Sequence, residues 1–110
     1  MTGYKIAWQH ESLLHLKDIR YYIALDSERA ANRIIQKIRN KVKSLKTNPY
    51  VGQEEELLKW NELGSRYVIQ GHYKILFRIQ DRTIYILAVF DTRRNPDSMS
   101  ELLPETEPKF

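Results

Sequence analysis

The sequence predicts an α+β domain in which a hairpin of two helices packs on one face of an antiparallel sheet. Three observations carry this. Two segments of the first half, 11–25 and 28–45, repeat their apolar residues at three- and four-residue spacing. Three apolar runs of the second half, 66–70, 73–79 and 83–90, are separated by two-residue turn signals. When side chains alternate across strands joined by those turns, one side of the meander is almost wholly apolar.

The elements follow in order. Tyr4-Lys5-Ile6-Ala7-Trp8 alternates weakly and reads as a short first strand. From Glu11 to about Leu25, Leu13, Leu16, Ile19 and Ile23 form a helical stripe that Leu14, Tyr21 and Tyr22 widen, the two tyrosines being read as packing residues. Asp26 and Ser27 then offer a short side-chain oxygen to the unpaired N–H groups of a second helix. In that helix Ala31, Ile34, Ile35, Ile38, Val42 and Leu45 share one side, and Arg29, Arg33, Lys37 and Lys41 form the wet side opposite. So tight a connection makes the two helices an antiparallel hairpin. Thr47-Asn48-Pro49-Tyr50-Val51-Gly52 stops the second helix, because the residue before a proline avoids helical backbone. The acidic Gln53-Glu54-Glu55-Glu56 that follows has no regular pattern, and Trp60 is expected to pin this excursion to the body.

Gly71-His72 and Asp81-Arg82 are loops of hairpin length, so Gln70 opposes Tyr73 and Gln80 opposes Thr83. One face of the meander then holds Val68, Tyr73, Ile75, Phe77, Ile79, Ile84, Ile86, Ala88 and Phe90, and packs under the helices. The other holds Tyr67, Ile69, Lys74, Leu76, Arg78, Tyr85, Leu87, Val89, Asp91 and Arg93. Full burial of that second face would strand Lys74 and Arg78, yet it is too apolar for a merely wetted surface, so it predicts a partner. The stretch FDTRRNP, 90–96, joins it, with Asp91 and Arg93 continuing the phase of Lys74 and Arg78.

Composition narrows the function classes. The chain has 18 Lys and Arg against 14 Asp and Glu, and residues 1–96 hold 17 of those bases but 10 of the acids, a net of +7. A basic body of this size raises the expectation of an anionic partner. With no cysteine there is neither a disulfide framework nor thiolate chemistry, which fits a reducing cytoplasm. The start, MTGYKIAW, lacks a secretory pattern, and no apolar run approaches the ~20 residues of a membrane helix. His10 and His15 lie off the i, i+4 spacing of paired helical ligands and His72 reads as a turn residue, so no metal and no cofactor is expected.

The order of strand, two helices, proline-glycine loop, three-stranded meander and arginine pair resembles the RelE/ParE superfamily of toxins from bacterial type II toxin–antitoxin modules, in its ParE-like, plasmid-stabilisation form. The carriers are YKIAW with LLHLKDIRYYI, the stretch ERAANRIIQKIRNKVKSLKTNPYVGQ, GSRYVIQGHYKILFRI and IYILAVFDTRRNP, together covering about residues 4–96. The resemblance implies a helix hairpin on one face of a twisted, mainly antiparallel sheet of three to four strands that the first strand joins. It implies a toxin domain over 1–97, after which the prolines and acids of residues 98–110 read as an acidic, extended tail. It also implies a cognate antitoxin whose acidic, amphipathic segment folds onto the toxin. No membrane partner is implied, and a homodimer stays open.

Two activities occur in that superfamily. RelE-like members cut mRNA on the ribosome without metal, which takes a proton acceptor, cations for the phosphorane and an acid for the leaving oxygen. Arg66, His72, Lys74, Arg78, Asp91 and Arg93 are the residues that such a reaction would use here. ParE-like members bind DNA gyrase, and for them Arg66, Lys74, Arg78, Arg93 and Arg94 would meet the target. Residues 92–110 contain neither the tyrosine nor the histidine common in RelE-like endings, and only Lys59 precedes Gly64-Ser65-Arg66, with three glutamates upstream. Both departures favour the gyrase-directed reading over the ribonuclease. A third reading is a toxin homologue without activity, retained as an accessory that binds antitoxin or operator DNA. Structural roles stand beside these: Arg66 pairing with Glu62 or Asp91, and Asp91 bridging to Arg93 or Arg94 to fix the C-terminal turn. In the tail, Leu102 and Leu103 would dock on an apolar face of the same chain or of a second copy.

Overall fold

A computed structural model describes residues 3–54 and 64–93. Two helices, α1 (His10–Ala24) and α2 (Glu28–Ser44), are joined by the three residues 25–27. The hydroxyl of Ser27 accepts the Ala30 N–H at 3.1 Å, which satisfies one of the free donors at the start of α2. Five strands form one sheet: β1 (Lys5–Trp8), β2 (Gln53–Glu54), β3 (Arg66–Gln70), β4 (Tyr73–Gln80) and β5 (Thr83–Asp91). Their order is β1-β5-β4-β3-β2, with β1 parallel to β5 and every other pair antiparallel. The α+β architecture is therefore as expected, and the first strand does join the sheet. β2 was not foreseen. It consists of the first two residues of the acidic segment and adds an edge to β3. Trp60 and its expected pinning role lie outside the described residues.

Both hairpins have the two-residue loops that the sequence implies, with Gln70 opposite Tyr73 and Gln80 opposite Thr83. Gly71 takes φ +61°, which costs glycine little. Asp81 and Arg82 take φ 51° and 64°, the paired left-handed backbone that matches the twist of a hairpin. Arg82 is a poor residue for that conformation. Contacts with the start of β1 help to hold it: its carbonyl accepts the Lys5 N–H at 2.9 Å, and its guanidinium lies 5.7 Å from the Tyr4 ring centre.

The register departs from the expectation along β5. Phe77 opposes Ile86, but Leu76 opposes Ala88, so Leu87 is an extra residue without a counterpart on β4. A bulge of this kind exchanges the faces of everything beyond it. Val89 consequently points to the helices and joins the main core cluster, and Asp91 falls opposite Tyr73 on that same side. Ala88 and Phe90, expected under the helices, lie with Leu76 and Lys74 on the second face. The bulge sits where β1 ends. Trp8 opposes Ile86, the Gln9 N–H donates to the Ile86 carbonyl at 2.9 Å, and the chain then turns into α1. Past Ile86, that edge of β5 faces α1 in place of a strand, and Nδ1 of His15 accepts the Val89 N–H at 3.2 Å.

The core lies between the helices and the sheet. Leu16 of α1 and Ile38, Val42 and Leu45 around α2 meet Val68, Tyr73, Ile75, Phe77, Ile84, Ile86 and Val89. Burying each of the larger aliphatic or aromatic side chains contributes about 1.5–3 kcal/mol, so this cluster outweighs any local preference. Gly52 is fixed by the same packing. A Cβ there would stand 2.7 Å from Phe77 Cζ and 2.9 Å from the Tyr67 carbonyl oxygen. Tyr21 and Tyr22 do not pack. They are 67% and 76% exposed because the α1 stripe is wider than the contact it makes with the core. Among the described residues, no helix is long and apolar enough to cross a membrane.

Candidate target-binding site

The residues expected to form one cationic site separate into three places. Lys74 and Arg78 project from β4 on the second face, beside Tyr67 and Tyr85. The Lys74 ammonium lies 4.2 Å from the centre of the Tyr67 ring, a cation–π contact. Between the two cations the sheet is closed to solvent: Leu76 and Ala88 are fully buried, Leu87 and Phe90 nearly so. The middle of the second face is thus closed, where the alternation implied a mixed surface open to a partner, and its accessible groups lie at the rim.

Asp91 and Arg93 lie on the other side, at the end of β5. Asp91 Oδ1 accepts both the Arg93 backbone N–H at 2.9 Å and the Arg93 Nε–H at 3.0 Å. Arg93 Nη2 completes a bidentate fork to Oδ2 at 2.9 Å. That fork holds the Asp91 carboxyl below its ordinary pKa, with burial opposing and the nearby His72 adding slightly to the lowering. Tyr73, paired opposite Asp91, has its phenol pushed upward, by burial first and by the Asp91 charge second. Thr92 ties the same corner to the hairpin: its N–H and its hydroxyl both donate to the His72 carbonyl at 2.8 Å. His72 itself is an exposed turn residue. The pairing of Asp91 with Arg93 is the structural bridge anticipated. The expectation that both continue the phase of Lys74 and Arg78 fails, because the Leu87 bulge turns Asp91 to the opposite face.

Arg66 is in a third place. It opposes Phe77, four residues along β3 from Gln70, so it sits ~13 Å along the strand from the Asp91 corner. It donates to the carbonyls of Gly52 at 2.9 Å and Tyr50 at 3.4 Å, and it stands 5.4 Å from the centre of the Tyr50 ring. It therefore anchors the loop after α2. A pairing with Asp91 does not form, and Glu62 and Arg94 lie outside the described residues, as does the tail.

Two residues of the site were not foreseen. Tyr73 reads as an ordinary apolar-face residue, although a tyrosine there must still find room for its hydroxyl beside the strand end. His15 reads as a helix-surface residue, and only its placement over β5 makes it an acceptor. Burial lowers its pKa, against the opposing pull of Asp18 and Glu11, which suits a neutral ring with a free lone pair on Nδ1. Among the described residues, no group of His, Asp and Glu is arranged to hold a metal ion.

The fold has counterparts among known proteins. In fold, the chain is similar to a chain from the chromosomal ParDE toxin–antitoxin system of P. aeruginosa, with a TM-score of 0.65 and 22% identity over 78% of this chain and 92% of that one. It is likewise similar to a chain of the toxin–antitoxin complex RelBE2 from Mycobacterium tuberculosis, with a TM-score of 0.60 and 23% identity over 79% of this chain and 95% of that one. No curated protein matches the chain significantly. The family model of the ParE toxin of type II toxin–antitoxin systems, the parDE type, matches residues 6–96. A match across nearly the whole described fold settles the family: the chain belongs to the ParE toxins.

Proposed function

We propose that this toxin arrests growth by binding DNA gyrase, and that it performs no RNA cleavage of its own. The observation that carries this reading is the separation of the candidate groups. Metal-independent cleavage of RNA needs a proton acceptor and a cation close to the same phosphate. Here Lys74 and Arg78 share one face, while Asp91, with His72 near it, belongs to the other, and the cation at that corner, Arg93, is taken up by Asp91. The pKa directions agree, since a carboxylate held low and a phenol pushed high are both poor proton acceptors near neutral pH. The target would instead meet the rim cations Lys74 and Arg78 with Tyr67 and Tyr85, and separately the Asp91–Arg93 corner.

The same reading includes a cognate antitoxin. Both structural relatives come from toxin–antitoxin systems, and an acidic, amphipathic antitoxin segment has a place to fold on this chain. Leu14, Tyr21 and Leu25 follow one another along the outer side of α1 at 44%, 67% and 69% exposure, with Tyr22 beside them. The recess between Tyr21, Leu25 and Glu28 is bordered by Lys17 and Arg20. Exposed apolar groups beside Lys17 suit such a segment, with Arg20 turned to Glu28 at the far side of the recess.

Purified toxin and purified gyrase test the proposal. Supercoiling should be inhibited by the toxin and restored by the antitoxin. Normal supercoiling at high toxin excess, with mRNA cut at A-site codons in a translating extract, would replace it with the ribonuclease reading. A folded product that does neither would be the antitoxin-binding homologue.

A further inference from the structure

The strongest unassigned feature is the outer side of α2. From Arg29 to Gln53 the chain carries seven bases, Arg29, Arg33, Lys37, Arg39, Lys41, Lys43 and Lys46, and not one acid. At 100° per residue, Arg29, Arg33, Lys37 and Lys43 fall within an arc of about 120°, with Gln36 and Asn40 among them. All six are exposed. Among the described residues none of the four cations forms an ion pair; the nearest acid on the helix, Glu28, is turned to Arg20 at 3.9 Å. Like charges at i, i+4, as in Arg29, Arg33 and Lys37, weaken a helix, and ordinary surface helices relieve this with interspersed acids. This one retains the repulsion along its whole length.

From this face we infer a second binding surface: the outer side of α2 docks on B-form DNA, its cations reaching the phosphates that border the major groove. Three properties favour that occupant. The arc carries no apolar side chain, so an acidic protein segment would gain no apolar burial there, whereas phosphate contacts need only bases and amides. Gln36 and Asn40 are bonded to each other at 3.0 Å and present amide edges at the centre, between the cations. A helix 10–12 Å across also fits the major groove of B-form DNA, about 12 Å wide, but not the deep, narrow one of A-form RNA. The surface is independent of the β4 and β5 residues discussed above and does not depend on which target the toxin has.

Fluorescence anisotropy of a short, mixed-sequence DNA duplex with the full-length protein tests the inference. Four phosphate contacts predict that log K falls with log salt at a slope of about −3.6, roughly a 100-fold loss between 50 and 200 mM salt. The double variant Arg33→Glu, Lys37→Glu should bind at least tenfold more weakly, with the slope reduced by about 1.8. The double variant Lys5→Glu, Lys17→Glu makes the same change of net charge away from α2, and should keep the slope of the unaltered protein. Circular dichroism and thermal melting confirm that both variants are folded. Absence of binding at low salt overturns the inference, as does an equal loss in both double variants, which would reduce the effect to net charge. Tighter binding to an RNA duplex of the same sequence, or to poly-glutamate, also overturns it and assigns the face to RNA or to an acidic protein.

Discussion

Replacing His15 with alanine should loosen the junction of α1 with β5 by an amount that the structure bounds. Nδ1 of His15 accepts the Val89 N–H at 3.2 Å, on a strand edge that β1 no longer covers. Without the ring, that amide loses its partner in a partly buried place, a loss of about 1–3 kcal/mol. For a domain of this length, each kcal/mol moves Tm by about 4–8 °C, so a fall of at least ~4 °C is expected. Acid provides an independent check. Burial lowers the folded-state pKa of His15 below its ordinary value of 6.5. As pH falls below 6.5 the unfolded chain takes up a proton before the native ring does, so the native state loses stability down to the lowered value. Above 6.5 the stabilisation is complete. The alanine variant lacks this dependence, so its deficit should shrink as the solution becomes mildly acidic. Urea denaturation at neutral and at mildly acidic pH measures both effects. A variant within about 0.5 kcal/mol of the unaltered protein at neutral pH, or a deficit that does not shrink with acid, would refute the reasoning.

Three further outcomes are expected. Gly52→Ala should cost about 1–3 kcal/mol in chemical denaturation, because its Cβ has Phe77 on one side and a rigid carbonyl on the other. Asp91→Asn should cost less than about 1 kcal/mol, since Arg93 is 59% exposed in the pair. Because the Asp91 pKa is lowered, its contribution is present above the ordinary value of 3.8 and lost as pH falls through the folded value, so the variant should lack that part of acid destabilisation. Tyr21→Lys with Leu25→Lys should leave the melting temperature nearly unchanged, because both side chains are exposed, while weakening antitoxin binding at least tenfold in calorimetry.

The two hairpins and both helices were legible because each has a local cause: a glycine at a positive φ, a Ser27 cap, a stripe of isoleucines at helical spacing. The faces of β5 were not. Residues 84–90 are apolar without interruption, so nothing in the pattern fixes their phase, and a single extra residue at Leu87 passes unseen. That one position moved Asp91 away from Lys74 and Arg78 and divided the candidate site. The reason for the bulge is tertiary. β1 stops at Trp8 and α1 takes its place beside β5, an exchange that spans most of the chain between His15 and Val89. The partners of Arg66 were not legible for a related cause, since the carbonyls it bonds in the loop after α2 come from a segment whose course the sequence leaves open. The exposure of Tyr21 and Tyr22 follows from a helix that contacts the core through Leu16 and a narrow band around it.

The measurement that bears most directly on the account is a pulse-label comparison after toxin induction, following DNA and protein synthesis in parallel. A toxin that acts by binding gyrase halts thymidine incorporation first, while methionine incorporation continues. Protein synthesis that stops first, accompanied by new mRNA ends at A-site codons, would contradict the account.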